Sequence, residues 1–331
     1  MRIAVLDDYQ DVAKDMANWS ALGPKATVSI FRDHLTSENA AAERLKGFDV
    51  VVGMRERTAF PKTLLNRLPD LKLLITTGMA NASFDVDAAT ELGITVAGTG
   101  GVAGDPTAEL TWGLLLSLTR HIGEEQNATR DGKWQTTVGT GLKGKTIGII
   151  GLGRIGSEVA RYSRAFQMNV IGWSQNLTKE RAAECGATLV TKDDLLKQAD
   201  FVTIHLRLSA RTQALIGARE LALMKPTALL INTSRGPIVD ERALIQAVDR
   251  GTIGGAGLDV FDEEPLPLNH PLRTLKHTVI TPHLGYVTAE AYRVMYSDAI
   301  QDIQALGAGE PVRVINSAVL QKPDRRKLEL K

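Results

Sequence analysis

Three short stretches of this chain hold the residues best suited to chemistry. Asn232-Thr233-Ser234-Arg235-Gly236 brings an arginine, residues 259–265 (DVFDEEP) bring carboxylates, and Thr281-Pro282-His283-Leu284-Gly285 brings a histidine. A guanidinium forks onto a carboxylate and a keto oxygen. An imidazole gives or takes a hydroxyl proton, and a neighbouring carboxylate holds it oriented. The trio suits reduction of a 2-keto acid, with Arg235 gripping the substrate and His283 handling the proton. Each residue alone has a plainer reading: a surface ion pair for Arg235, a solvated loop residue for His283, a solvated acidic turn for Asp262, Glu263 and Glu264. Their joint placement outweighs those readings. Each stretch directly follows an expected strand, and ligands of open α/β sheets sit at the carboxyl ends of strands. His205 also follows a strand and is the second histidine to consider.

A fourth stretch would bind the other reactant. Residues 146–150 form an apolar run bounded by glycine, which reads as a buried parallel strand. Gly151, Gly153 and Gly156 follow at once in GxGxxG spacing. Ile155, Val159, Ala160 and Phe166 then recur at helical spacing, and residues 169–173 read as a second strand. In this βαβ setting Gly151 permits the tight turn, Gly153 lets the backbone approach a pyrophosphate, and Gly156 packs the helix close to the strand. The helix N-terminus adds free N–H groups and partial positive charge for phosphates. A glycine-rich turn without a ligand is the alternative, but strand, turn, helix and strand all agree on dinucleotide binding.

The elements around these stretches alternate. Residues 2–6, 27–31, 50–53, 73–76 and 94–97 are short strand candidates, with helical stretches at 38–45 and 62–67 between them. That alternation gives a parallel sheet with helices on both faces. Residues 98–104, rich in glycine and alanine, read as a hinge. Asp105-Pro106 then looks like an N-cap with proline at the first helical position, followed by a helix apolar nearly all round, which should be buried between layers or subunits. Residues 126–142 read as a polar connection. Beyond residue 173 come strands near 201–206, 228–232, 254–260 and 278–281, with helices at 218–224 and 241–248. A last amphipathic helix shows Tyr292, Met295, Ala299, Ile303 and Leu306 on one face. It should pack back on the first unit, so a discontinuous first domain, residues 1–100 and 292–331, is expected around an inserted dinucleotide domain, residues 101–291.

Composition limits the partners. With 331 residues two domains are expected, and 44% hydrophobic residues support sizeable cores. A net charge of +1 shows no basic excess for nucleic acid. The basic cluster at 322–327 reads as a solvated tail. Cys185 is the only cysteine, which excludes an internal disulfide and a cysteine-based metal site and fits a reducing, cytoplasmic compartment. There is no signal-peptide pattern and no apolar run of membrane-spanning length, so no metal, nucleic acid or membrane partner is expected.

The motifs GLGRIG, NTSRGPIVD, LDVFDEEPLP and TPHLG, in this order, resemble the D-isomer-specific 2-hydroxyacid dehydrogenase family, and LKLLITTGMANASFD and TAEL extend the match over nearly the whole chain. The resemblance implies a Rossmann domain inserted in a flavodoxin-like substrate domain. It implies NAD or NADP as cofactor and a homodimer built around the cofactor domain. By the family's pattern Arg235 binds the substrate carboxylate and keto oxygen, Glu264 pairs with His283, and His283 is the acid/base. Asp259 would hold the nicotinamide carboxamide. Thr107 and Arg154 would reach the phosphates, and Ile155, Thr233 and Gly285 complete the cofactor contacts. Backbone groups near Gly78 and Met79, with Arg55 close by, would hold the substrate carboxylate. Glu264 stands where formate-oxidising relatives carry glutamine, which argues against formate.

The chain departs from the pattern at three places. Ser174 replaces the aspartate that closes the second Rossmann strand of NAD-type members, so the carboxylate that would repel a 2′-phosphate is missing. Arg207 replaces a usual proline, and Tyr286 a common glycine. The expected activity is NAD(P)-dependent interconversion of small 2-keto and D-2-hydroxy acids, of the glyoxylate or hydroxypyruvate type. Two alternatives stand beside it: D-3-phosphoglycerate dehydrogenase, and a non-catalytic, corepressor-like NAD(H) sensor.

Overall fold

The computed structural model describes residues 1–35, 37–101 and 105–328. Val102, Ala103 and Gly104, part of the expected hinge, lie outside them, as do residues 329–331 of the first domain. The chain forms two compact units, Met1–Ala103 with Thr288–Lys331, and Gly104–Val287. The sequence reading drew these boundaries at 100/101 and 291/292.

In the first unit, strands β1 (Arg2–Val5), β2 (Thr27–Ile30), β3 (Val50–Gly53), β4 (Leu73–Thr76) and β5 (Thr95–Gly98) alternate with helices α1 (Ala13–Met16), α2 (Glu38–Leu45), α3 (Lys62–Leu65) and α4 (Val86–Glu91). Among the described residues the sheet runs β2-β1-β3-β4-β5 with every pair parallel, the flavodoxin-like order. All four residues of β3, β4 and β5 are buried. That is why these strands read as continuous apolar runs rather than alternating ones.

The second unit begins with α5 (Pro106–Arg120) and α6 (Ile122–Arg130), then β6 (Thr146–Ile150), α7 (Arg154–Ala165), β7 (Asn169–Trp173), α8 (Lys179–Glu184), β8 (Thr188–Leu189) and α9 (Lys192–Gln198). It continues through β9 (Phe201–Ile204), α10 (Ala218–Leu223), β10 (Leu229–Asn232), α11 (Glu241–Asp249), β11 (Gly255–Leu258) and β12 (Thr278–Ile280). Its sheet runs β12-β11-β10-β9-β6-β7-β8, again with all pairs parallel. The order reverses between β6 and β9, the point at which doubly wound sheets bind ligands. Because every strand points the same way, the ends of β6, β9, β10, β11 and β12 open on one edge of the sheet.

Helix α5 starts with proline at its first position and stops where His121 takes a left-handed φ of 52°. Helix α6 follows at once, where the sequence reading placed a polar connection from residue 126. The correction has a simple cause: no residue of α6 is buried, so no apolar stripe marks it.

The chain returns to the first unit at α12 (Ala289–Ala308), capped by Thr288, whose hydroxyl accepts from Ala291 N, and ended by Gly309 at φ 87°. Past it, Val314 bridges Ala97 antiparallel, and Asn316 Oδ1 accepts from Val96 N at 2.8 Å. The basic cluster at 322–327 is not a solvated tail. Arg326 Nη1 donates to Leu68 O and Leu71 O at 2.8 and 2.9 Å, and Leu328 is buried. A charge run looks solvated in sequence because the carbonyls that receive it come from distant residues.

Within this unit Asp302 of α12 is fully buried. One carboxylate oxygen accepts from Arg313 Nε at 3.0 Å and the other makes no hydrogen bond among the described residues. Burial outweighs Arg313 and pushes the Asp302 carboxyl up to about 7. A carboxyl raised in the folded state loses stability as pH climbs from its ordinary value near 4 towards 7, then levels. Asp302→Asn should therefore flatten the change of Tm between pH 5 and pH 8 and stabilise at pH 8 by up to about 4 kcal/mol. Thermal scans across that range check this, and an unaltered pH slope would contradict it.

Candidate active site

The end of β6 is shaped by its glycines. Gly151 has φ 100°, and a Cβ on Gly156 would lie 1.9 Å from Gly151 O, so α7 sits hard against the turn. Any side chain at Gly156 would force them apart. A Cβ at Gly153 would meet nothing within 4 Å, leaving open space over the turn. Gly153 is the N-cap of α7 and no side chain caps that helix, so the first-turn N–H groups, those of Arg154, Ile155 and Gly156 among them, face that space without a side-chain acceptor. These are the features a pyrophosphate needs, and the residues present fit a dinucleotide. Ser174, at the end of β7, is half-buried. Arg154 lies beside the turn with its side chain 72% exposed, and its Nη1 donates to the Asp105 carboxylate at 2.6 Å.

The three chemistry-bearing stretches meet along the same edge. Gly236 brings the first against the second: a Cβ there would lie 2.1 Å from Phe261 C. The turn that presents Arg235 is held by Asn232, whose Nδ2 donates to Arg235 O at 3.0 Å and whose Oδ1 accepts from Ser234 N. Arg235 itself is half-buried, with Nη1 donating to Ser234 O at 2.7 Å. Glu264 accepts from Phe261 N through Oε1 at 2.9 Å, which leaves Oε2 aimed at His283 Nδ1, 2.6 Å away. The imidazole is thus oriented through Nδ1, leaving Nε2 for another partner. Tyr286 packs edge-on against it at 5.7 Å.

His283 takes a left-handed φ of 57°, an uncommon conformation for a residue with a side chain. Buried Asp259 holds it there. Its carboxylate accepts from Thr281 Oγ1 at 2.6 Å, Leu284 N at 2.7 Å and Gly285 N at 2.8 Å, and its carbonyl accepts from His283 N at 2.8 Å. Burial pushes the Asp259 carboxyl up. The carboxamide contact expected of Asp259 would have to compete with these bonds. From α5, Thr107 Oγ1 donates to Gly285 O at 2.9 Å, and Thr111 and Thr233 share a hydroxyl–hydroxyl bond of 2.8 Å. His205, the other strand-end histidine, bonds Thr203 Oγ1 at 2.9 Å, and burial pushes it down to about 3. Burial thus favours its neutral form.

The residues expected to meet a substrate carboxylate lie in the first unit, after β3 and β4. Arg55 has φ 52°, donates from Nη1 to Thr77 O at 3.0 Å, and lies where a Cβ on Gly78 would be, 2.1 Å from that nitrogen. Gly78 N is already committed to Thr99 Oγ1 at 2.8 Å. Met79 is 53% exposed. The sequence reading did not foresee Asp105, Thr111 or Thr281 as parts of these networks. Their only signal was a polar residue at a helix cap (Asp105), inside a helix (Thr111) or just past a strand (Thr281), which most often has a purely local role.

Residues 112–285 match the family described as D-isomer specific 2-hydroxyacid dehydrogenase, NAD binding domain. A glyoxylate reductase of Thermococcus litoralis is 42% identical over 269 residues, 78% of this chain and 81% of that protein. A D-3-phosphoglycerate dehydrogenase of Methanocaldococcus jannaschii is 39% identical over 271 residues, 81% of this chain but 51% of that protein. The crystal structure of a phosphoglycerate oxidoreductase from Vibrio cholerae O395 superposes with a TM-score of 0.88 at 34% identity, covering 93% of this chain and 99% of that one. The chain belongs to the D-isomer specific 2-hydroxyacid dehydrogenase family, enzymes that interconvert small 2-keto and 2-hydroxy acids with a nicotinamide dinucleotide.

Proposed function

We propose that this dehydrogenase reduces glyoxylate and similarly small 2-keto acids to D-2-hydroxy acids, with Arg235, Glu264 and His283 as its catalytic residues. The observation that carries the assignment is the 2.6 Å contact of Glu264 with His283 Nδ1, beside the arginine loop. When bound, the nicotinamide supplies the hydride. Arg235 grips the substrate carboxylate and stabilises the charge that develops on the keto oxygen. His283, held by Glu264, donates its Nε2 proton to that oxygen. Gly151, Gly153 and the first turn of α7 receive the pyrophosphate, and Thr233 and Gly285 border the nicotinamide half. Glyoxylate comes first because the 42%-identical relative bears that name. Phosphoglycerate-type substrates are the second reading, since another relative bears that one. A cofactor-oxidation assay with glyoxylate, hydroxypyruvate, pyruvate and a phosphorylated 2-keto acid separates the two. Strong preference for the phosphorylated acid would overturn the first.

Ser174 bears on the choice of cofactor. With no carboxylate at the end of β7, a 2′-phosphate meets no like charge there, and NADP(H) is accepted at least as well as NAD(H). Arg181, one of the basic residues nearby in sequence, is engaged by Ser157 Oγ at 2.9 Å and Glu184 at 3.1 Å, which leaves Lys179 and Arg207 as candidate phosphate partners. Ser174→Asp should swing the ratio of kcat/KM values towards NADH by about 1–3 kcal/mol, the size of a charged contact. A wild-type preference for NADH of a hundredfold would rule the idea out.

The enzyme acts as a homodimer in a reducing compartment, the cytoplasm. Trp134 and Val138, 79% and 93% exposed, offer apolar surface that a second copy would cover. No helix among the described residues is long and apolar enough to cross a membrane. Light scattering at micromolar concentration should return twice the chain mass, and a monomer would contradict the assembly.

A further inference from the structure

Asp105 is an unexpected residue to find beside a phosphate-binding turn. It is 2% exposed and precedes α5, yet its carboxylate makes no capping bond to that helix. Oδ2 accepts from Arg154 Nη1 at 2.6 Å, and Oδ1 makes no hydrogen bond among the described residues. Arg154 belongs to the first turn of α7 and is 72% exposed, and its Nε and Nη2 have no acceptor among the described residues. A long, exposed arginine would ordinarily sample many rotamers and lose that freedom on gripping a ligand. Here one edge of the guanidinium is tied to an anchored carboxylate while the remaining donors stay open. A buried carboxylate in turn cannot give up its counter-charge cheaply, so the pair persists when a ligand arrives.

We infer that Asp105 is a positioning residue for dinucleotide binding: it acts through Arg154, holding the guanidinium ready for the pyrophosphate. The inference rests on the reading of Arg154 as a phosphate contact. It has an opponent, since a carboxylate near a phosphate also repels it. The ion pair cancels most of that charge, so preorganisation prevails.

A double-mutant cycle measured by calorimetry on the unliganded protein tests this, with NADH, ADP and adenosine as probes. Asp105→Asn keeps the size of the residue and removes its charge. It should weaken NADH and ADP about threefold to tenfold, the cost of ordering one long side chain, and leave adenosine, which has no phosphate, unchanged. In an Arg154→Ala background the same substitution should have no further effect. Unchanged or tighter ADP binding by Asp105→Asn, or an effect that adds to that of Arg154→Ala, overturns the inference. If Arg154→Ala alone leaves ADP binding intact, the reading of Arg154 itself fails, a separable result. A fall in Tm of Asp105→Asn with adenosine also weakened would mark Asp105 as merely structural and likewise overturn it.

Discussion

His283→Ala should lower kcat by about 10²–10⁴, the usual contribution of general acid–base catalysis, while NADH affinity stays near wild type. The ring is held by Glu264 through Nδ1 and by a backbone conformation that Asp259 enforces, so removing it deletes a proton donor without disturbing the glycine turn of α7. The pH dependence follows from the direction of the proton. Reduction needs the charged imidazole and should slow as pH rises. Oxidation of the alcohol needs the neutral form and should slow as pH falls. Both limbs should vanish in His283→Ala. Glu264→Gln, which keeps a hydrogen-bond acceptor but loses the charge, should retain partial activity. His205→Ala serves as the comparison: burial pushes that imidazole down to about 3, which makes it a poor source of an acidic proton near neutral pH. Steady-state kinetics in both directions decide the matter. Wild-type kcat with an unchanged pH profile in His283→Ala would refute the assignment.

Arg235→Ala should lower kcat/KM for the keto acid by about 10²–10³, through both terms, because one guanidinium serves the ground-state carboxylate and the charge that appears at the keto oxygen. Arg235→Lys should recover only part of the loss. An ammonium is a point charge and cannot fork onto two oxygens. The site also fixes the geometry tightly: the arginine turn is bonded by Asn232 and pressed against Phe261 through Gly236. A substrate KM within twofold of wild type for Arg235→Ala would remove Arg235 from the site. Dinucleotide affinity measured alongside should not change, since no part of the α7 turn depends on this residue.

The apolar runs and the glycine spacing announced both parallel sheets because fully buried strands have no polar alternation to confuse them, and the bounds of β3, β4, β6, β7 and α2 match the expected ones. Helices α8 and α9 and strand β8 went unforeseen. They are short, and each helix buries one or two side chains, too few for a period to emerge. The candidate site was legible as a set of residues because strand ends on one edge of a parallel sheet converge whatever lies between them. The pairing of Glu264, rather than Asp262 or Glu263, with His283 was implied by family pattern, and the 2.6 Å contact agrees with it.

The residue types and their order along the chain, by themselves, determined the two α/β units, the dinucleotide turn and the identity of an arginine, an acid and a histidine at successive strand ends. These are local properties: burial pattern, glycine spacing and strand-end position are written in neighbouring residues. Only the tertiary structure decided what each polar group is engaged with. Asp259 is spent on the His283 loop, Gly78 N on Thr99, Arg154 on Asp105, and Arg326 on two carbonyls far away in the chain. A hydrogen bond depends on distance and angle between groups many residues apart, and no spacing along the sequence encodes which donor reaches which acceptor first.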